Sequence, residues 1–135
     1  MSDETKIAGL VFDYAFAYDE RDLEGLRACF IDGATFSWSI VDGPSGGPFE
    51  GADAIVASNA ASLASQNDRR RHVMTNVTIR GEGDERTVRS YMTLSAIAGG
   101  AFTPLTTGVY TDVVVKGDDG EWRFASRRLI CDLPF

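Results

Sequence analysis

The sequence predicts an α+β fold in which three helices close a curved antiparallel sheet into a cone. Three observations predict it. Helical periodicity is confined to the first half of the chain, up to about Ser65. From Arg69 onward the chain reads as long strand-like runs rich in Val, Thr and Tyr. Tight glycine turns separate those runs, and short turns make successive strands antiparallel neighbours. Helices gathered on one face of such a sheet define the class, and the enclosed interior has room for a small ligand. At 135 residues and 44% hydrophobic composition, the chain suits one domain, residues 1–135, with one core.

The first helix is expected from an Asp3 cap to about Asp19. Lys6, Asp13 and Glu20, spaced by seven, form one narrow polar stripe. Ile7, Leu10, Val11, Tyr14 and Tyr18 flank it on one side, and Phe12, Ala15 and Phe16 on the other, so the helix should be largely enclosed. Asp19 falls off the stripe, roughly 120° away at ~100° per residue. A carboxylate turned inward is costly unless something pairs with it or donates to it, so Asp19 needs a partner from elsewhere in the chain. Asp22 reads as the cap of a short second helix, LEGLRACF.

Asp32-Gly33 then turns the chain into a strand, ATFSWSIV, with Ala34, Phe36 and Trp38 on one face. Residues 42–50, DGPSGGPFE, read as a loop. An alanine-rich third helix is expected from about Ala52 to Ser65. Four strands follow, at about 69–80, 86–98, 104–116 and 121–131, broken at Gly81-Glu82-Gly83-Asp84, Gly99-Gly100 and Gly117-Asp118-Asp119-Gly120.

Net charge of −7 argues against a nucleic-acid partner, which needs a basic surface. Arg69 to Arg71 read as a solvated strand end that discourages edge pairing. No apolar run approaches a membrane span, and the polar, acidic start MSDETK carries no signal-peptide pattern; the expectation is a soluble, cytoplasmic protein. Cys29 and Cys131 form no CxxC pair, and one histidine cannot complete a zinc set, so no metal is expected and both thiols read as buried and reduced. Phosphate-cradling glycine motifs are absent, and no cofactor is expected.

His72, the only histidine, lies where the helical half gives way to strands. Strict alternation would put His72, Met74, Asn76 and Thr78 on one face. Histidine titrates near neutrality and suits proton transfer. An inward Asp and a lone His suggest a dyad, with Asp19 fixing the imidazole tautomer and His72 acting as general base. No activated nucleophile is evident, which leaves proton abstraction, as in elimination, dehydration or isomerisation. Phe16, Phe36, Trp38 and Met92 would wall the site, favouring a hydrophobic substrate. Tyr14 and Tyr18 are candidate hydrogen-bond donors. One of Arg127 and Arg128 must face the concave side, and parity does not say which.

Tyr18-Asp19-Glu20-Arg21-Asp22-Leu23, Arg71-His72-Val73-Met74-Thr75-Asn76 and the closing Gly120-Glu121-Trp122-Arg123-Phe124 resemble the signatures of the SnoaL-like group. That group belongs to the nuclear transport factor two-like superfamily of α+β cones, the cystatin-like roll. The resemblance implies that Asp19 and His72 face each other across the mouth of the cone and that Arg127 is the inward arginine. Within the group, the sequence is similar to scytalone dehydratases at Tyr18, Asp19 and His72, and to hexachlorocyclohexane dehydrochlorinases at Asp19, His72 and Arg127. It departs from the first by lacking a second histidine, near Ala98, and from the second by carrying Tyr14 in place of a lysine, so neither substrate carries over. The implied function is a lyase or isomerase. The alternative is a non-catalytic binding or assembly module, the role of ring-hydroxylating dioxygenase small subunits. Either reading allows a homodimer or homotrimer built on the outer sheet face, where Val109 to Val115 are dense in Val and Thr.

Overall fold

The computed structural model describes all residues 1–135. Helices α1 (Asp3–Asp19), α2 (Leu23–Ala28) and α3 (Ala52–Ala64) pack against one six-stranded sheet. Its strands are β1 (Phe30–Ile40), β2 (Ser45–Glu50), β3 (Arg69–Arg80), β4 (Glu85–Ala98), β5 (Ala101–Lys116) and β6 (Trp122–Cys131), in the order β2-β1-β6-β5-β4-β3. The result is the expected α+β class, with two corrections. The sheet is mixed, because β1 runs parallel to β6 while every other pair is antiparallel. The loop expected at 42–50 closes into strand β2, which pairs with β1.

Local chemistry accounts for the element ends. Ser2, rather than Asp3, caps α1, its hydroxyl accepting from the Thr5 amide at 3.1 Å. Asp22 caps α2 by accepting from Gly25 N–H at 2.9 Å. Arg21 takes a left-handed φ of 59° between these helices. Its guanidinium donates to the carbonyls of Leu63 and Gln66 at 2.8 and 2.9 Å. Those carbonyls lie at the C-terminal end of α3, where a cation complements the helix dipole.

The core lies between the helices and the concave sheet face. Ile7, Val11, Leu26, Ile55, Val88, Val114 and Phe124 are fully enclosed, each such side chain contributing about 1.5–3 kcal/mol of burial. Helix α1 is less enclosed than its pattern suggests: Phe12 and Phe16 are exposed, Phe16 by 70%, so Phe16 is no wall of the interior. The helix simply presents one flank to the sheet and the other to solvent.

Bulges break two of the expected strand alternations. On β3 the register slips between Thr75 and Thr78, and Asn76 sits at φ 55°. His72 and Met74 face inward, and beyond the bulge Val77 and Ile79 do so, leaving Asn76 and Thr78 outside. Strand β6 slips between Phe124 and Ser126 opposite Val113 and Val114. Trp122 and Phe124 point inward before the slip, and Arg127, Leu129 and Cys131 after it. That slip makes Arg127 the buried arginine and leaves Arg128 exposed. Strand β3 is an outer edge of the sheet, with Arg69 and Arg71 exposed; Arg70 turns in and pairs with Asp68 at 2.9 Å.

Candidate functional site

Asp19 closes α1, where the helix dipole disfavours a carboxylate and no basic residue sits in the last turn. Its side chain is only 7% exposed, so it needs donors. His72 supplies both. Asp19 Oδ2 accepts from the His72 backbone N–H at 2.8 Å, and Oδ1 lies 2.6 Å from His72 Nδ1. With both acceptor oxygens committed, the neutral imidazole that satisfies this contact carries its proton on Nδ1. That leaves the Nε2 lone pair free. Nε2 makes no hydrogen bond within the protein and is not sealed in the core, and the ring lines a cavity.

The cavity measures about 370 Å³ and lies between α1, α3 and the concave sheet face, within the range of small-molecule sites. Tyr14 and Tyr18 come from α1, Phe36 and Trp38 from β1, Ser58 and Asn59 from α3. Tyr110 and Leu129 form its floor, and Phe135 crosses its rim beside Trp38, ring centroids 6.2 Å apart. Tyr18 packs edge-on against His72 at 4.8 Å, fixing the ring plane. Its hydroxyl accepts from Gln66 Nε2 at 3.0 Å. Burial pushes the Tyr18 phenol above its ordinary value, with the Gln66 bond pulling against it, so it stays protonated near neutral pH. Tyr14, deeper still, is pushed up by burial as well, with Arg127 opposing, and the Asn59 amide donates to it over a long 3.5 Å.

Of the residues singled out from sequence, Tyr14, Tyr18, Phe36, Trp38 and His72 line this cavity, with Asp19 behind His72. Three do not. Asn76 lies outside, because the β3 bulge turns it to the convex face beside Tyr91 and Arg89. Met92 is 1% exposed and borders a much smaller space beneath His72 and Tyr18. Arg127 is inward but lies under the cavity floor and does not border the space. Its Nε and Nη2 donate to Asp112 at 2.8 and 3.2 Å. The guanidinium is stacked among Tyr110, Phe124 and Tyr14, 3.8, 4.0 and 4.4 Å from their ring centres. Both side chains of the pair are fully buried. Burial pushes the Asp112 carboxyl up, against the pull of Arg127.

Sequence reasoning missed Tyr110 and Asn59. Tyr110 was legible in one respect: Gly108, Tyr110 and Asp112 alternate on one face of β5, an unusual set for plain core. Asn59 carried no signal beyond its place in an alanine-rich helix. A wider groove of about 530 Å³ runs along another flank of α1, past Lys6, Asp13, Glu20, Glu121 and Arg123. Its charges are solvated and it contains no group like the cavity's imidazole. No three His, Cys, Asp or Glu side chains cluster as metal ligands would. No helix is long and apolar enough to cross a membrane.

A cone-shaped mixed sheet closed by three helices over an interior pocket defines the cystatin-like, nuclear transport factor two-like class of fold. The sequence matches the SnoaL-like domain over residues 1–128, and the chain belongs to that family. No curated protein matches it. Among solved structures it is similar to a singly substituted form of Rv3472 of Mycobacterium tuberculosis, a protein of unknown function. The two share 28% identity and a TM-score of 0.82 over 96% of this chain and 72% of that one. ActVI-ORFA of Streptomyces coelicolor is 22% identical with a TM-score of 0.83, over 97% and 98% of the two chains. The beta subunit of a putative aromatic-ring-hydroxylating dioxygenase from Novosphingobium aromaticivorans is 21% identical with a TM-score of 0.81, over 97% and 90%. At those identities the last two show the fold alone.

Proposed function

We propose that this protein is a small cofactor-independent lyase or isomerase that removes a proton from an apolar molecule held in the 370 Å³ cavity. One observation carries the reading: the 2.6 Å contact between Asp19 Oδ1 and His72 Nδ1, which leaves Nε2 unpartnered at the cavity wall. Asp19 holds the tautomer and stabilises the imidazolium that forms. His72 Nε2 takes a proton from carbon, and the electron pair of the broken C–H bond forms a new C=C bond as the π pair of an adjacent carbonyl moves onto its oxygen (isomerisation) or a leaving group departs with its own bonding pair (elimination). The proton then returns at another carbon in an isomerisation, or accompanies a leaving group in an elimination. The lining of Phe36, Trp38, Ile40, Leu129 and Phe135 suits a hydrophobic, ring-bearing substrate. Membership in the SnoaL-like family is consistent with such chemistry, although the same fold also serves non-catalytic subunits.

The test is hydrogen–deuterium exchange at carbon. The protein is incubated in D₂O with 2-tetralone, a bicyclic ketone with acidic C–H bonds, and exchange is followed by NMR. Exchange above the buffer rate that is lost in His72→Gln is expected. Equal rates for both proteins would refute the base.

A second reading has its own observation. Val73, Tyr91, Ile97 and Phe102 are exposed large apolar side chains on β3, β4 and β5. A patch of this kind favours self-association, here as a homodimer or homotrimer of single-domain, cytoplasmic chains. Sedimentation equilibrium checks it; a monomer at all concentrations, unchanged in Tyr91→Lys, would refute it. The assembly reading stands alone if the cavity proves inert.

A further inference from the structure

The Arg69–Arg71 run is a sequence feature that the proposed chemistry leaves unused, and its middle residue is not a solvated strand end. Arg70 precedes His72 by two residues on β3, ~7 Å away along the strand and on the same face. Its side chain is only 13% exposed, whereas Arg69 and Arg71 are exposed. Arg70 borders a space of about 20 Å³ beneath His72, which Met92, Leu94 and Cys131 also line. That space shares Tyr18, His72, Leu129 and Phe135 with the 370 Å³ cavity, and the two adjoin along those side chains. Arg70 Nε donates to Asp68 at 2.9 Å, but Nη2 does so only over a long 3.5 Å. Nη1 donates to nothing within the protein and is not sealed in the core. Burial pushes the Tyr18 phenol up, and Arg70 is among the groups that pull it back, so this cation is felt at the Tyr18 side chain, whose ring packs on His72.

We infer that Arg70 and the space beneath His72 form a carboxylate-binding arm of the cavity, so that the ligand is an apolar ring compound bearing a carboxylate. The inference rests on the proposed function for the cavity as a substrate site, and it names the substrate class. A guanidinium is a planar fork of donors that matches a carboxylate and stays charged throughout the physiological range. The arm has room for one small planar group, which suits a carboxylate better than a bulkier phosphate. Met92, Leu94 and Leu129 line it with apolar surface, and an ion pair formed in such surroundings is stronger than one at the surface. Asp19 does not compete for the guanidinium, because His72 holds both of its oxygens. Arg21, Arg69 and Arg70, with Arg71 next along the strand, outnumber Asp19, Glu20 and Asp68 at this corner, in a chain whose net charge is −7. A carboxylate anchored in the arm leaves its ring in the larger cavity and the point of attachment beside His72, which borders both spaces. Arg70 is then a binding residue that selects and orients, and it takes no part in moving the proton.

The test is a matched pair of probes, 2-naphthoate and 2-naphthamide, close in shape and differing in charge. Dissociation constants are measured by isothermal titration calorimetry at neutral pH and low salt. Wild type is expected to bind 2-naphthoate about tenfold more tightly, the fold-change of one charge-assisted hydrogen bond. Arg70→Met should abolish that preference while leaving 2-naphthamide affinity within about twofold, which also reports an intact cavity. Arg70→Lys keeps the charge but loses the fork, and the preference should fall to about threefold. Asp68→Asn removes the competing carboxylate and should raise the preference by about threefold, a gain that does not depend on how Arg70→Met folds. Removing the exposed charges, Arg69→Gln with Arg71→Gln, should change the preference by less than about twofold. His72→Gln should keep it as well, so a failed base and a failed arm give different results. Equal affinity for the two probes, a preference that survives Arg70→Met, one lost instead with Arg69 and Arg71, one lowered by Asp68→Asn, or no binding of either probe would overturn the arm.

Discussion

Asp19→Asn changes one atom and should change the chemistry of another residue. Asp19 presents two acceptor oxygens to two donors, the His72 amide at 2.8 Å and Nδ1 at 2.6 Å. Asparagine has one acceptor oxygen and one donor amide. The backbone N–H cannot change its role, so the oxygen must stay with it. The amide NH₂ then faces Nδ1, and only the opposite tautomer, with the proton on Nε2, can accept from it. The lone pair leaves the cavity side of the ring. Two charge-assisted bonds become neutral ones, each weaker by about 1 kcal/mol. The buried charge disappears at the same time, which returns part of that loss. The net destabilisation should be about 1 kcal/mol, or about 4 °C in Tm. The loss of proton transfer should be larger, at least about 10²-fold in the exchange rate. The assay is favourable because the chain has a single histidine. Long-range ¹H–¹⁵N spectra of ¹⁵N-labelled protein contain one imidazole and identify its tautomer directly. An Asp19→Asn protein that keeps the proton on Nδ1, or exchanges within a few-fold of wild type, would refute the reasoning.

Three further outcomes follow from the same structure. Arg127→Ala leaves Asp112 charged and alone where neither side chain is exposed, so it should cost about 3–5 kcal/mol in urea unfolding, whereas the paired Asp112→Leu, Arg127→Met exchange should be far milder; equal losses would show that packing, not charge, governs the position. Burial pushes the Cys29 and Cys131 thiols up to about 11, so the folded protein at about pH 8 should resist a disulfide reagent that labels both thiols in guanidinium; rapid labelling of the native state would contradict this. Arg123 holds the Asp119 carboxyl down to about 2, through bonds at 2.7 and 3.1 Å. A depressed folded value stabilises above the unfolded value of about 3.9 and is lost as pH falls through the folded one. The Tm gap between wild type and Asp119→Asn should therefore be full above about pH 4 and close toward pH 2; a gap that persists at pH 2 would refute the assignment.

Much of this molecule was legible in one dimension because its punctuation is strong. The glycine turns at 81–83 and 99–100 bound β3, β4 and β5 to within a few residues. The rotation of Asp19 off the polar stripe of α1 placed a carboxylate against β3, and the helix does persist that far. What was not legible has common physical roots. Strand β2 is SGGPFE, a segment of low strand propensity that pairs only because β1 offers it an edge. The parallel contact of β1 with β6 joins segments about ninety residues apart, from Phe36 to Arg127, with no local trace. Alternation fails at a bulge, and a bulge has no reliable sequence mark; one extra residue sent Asn76 out and turned Arg127 in. Tyr110 needed that same register to be recognised as floor rather than core.

The Arg21 clamp has a consequence for how the helices are held together. Its guanidinium grips backbone carbonyls at the C-terminal end of α3, and Gln66, one residue in that grip, also holds the Tyr18 hydroxyl. The C-terminal ends of α1 and α3 are thus tied by three hydrogen bonds, two of which end on backbone carbonyls. Bonds at a helix terminus belong to the part of a fold that opens locally at low cost, so this corner and the core are held by separate means.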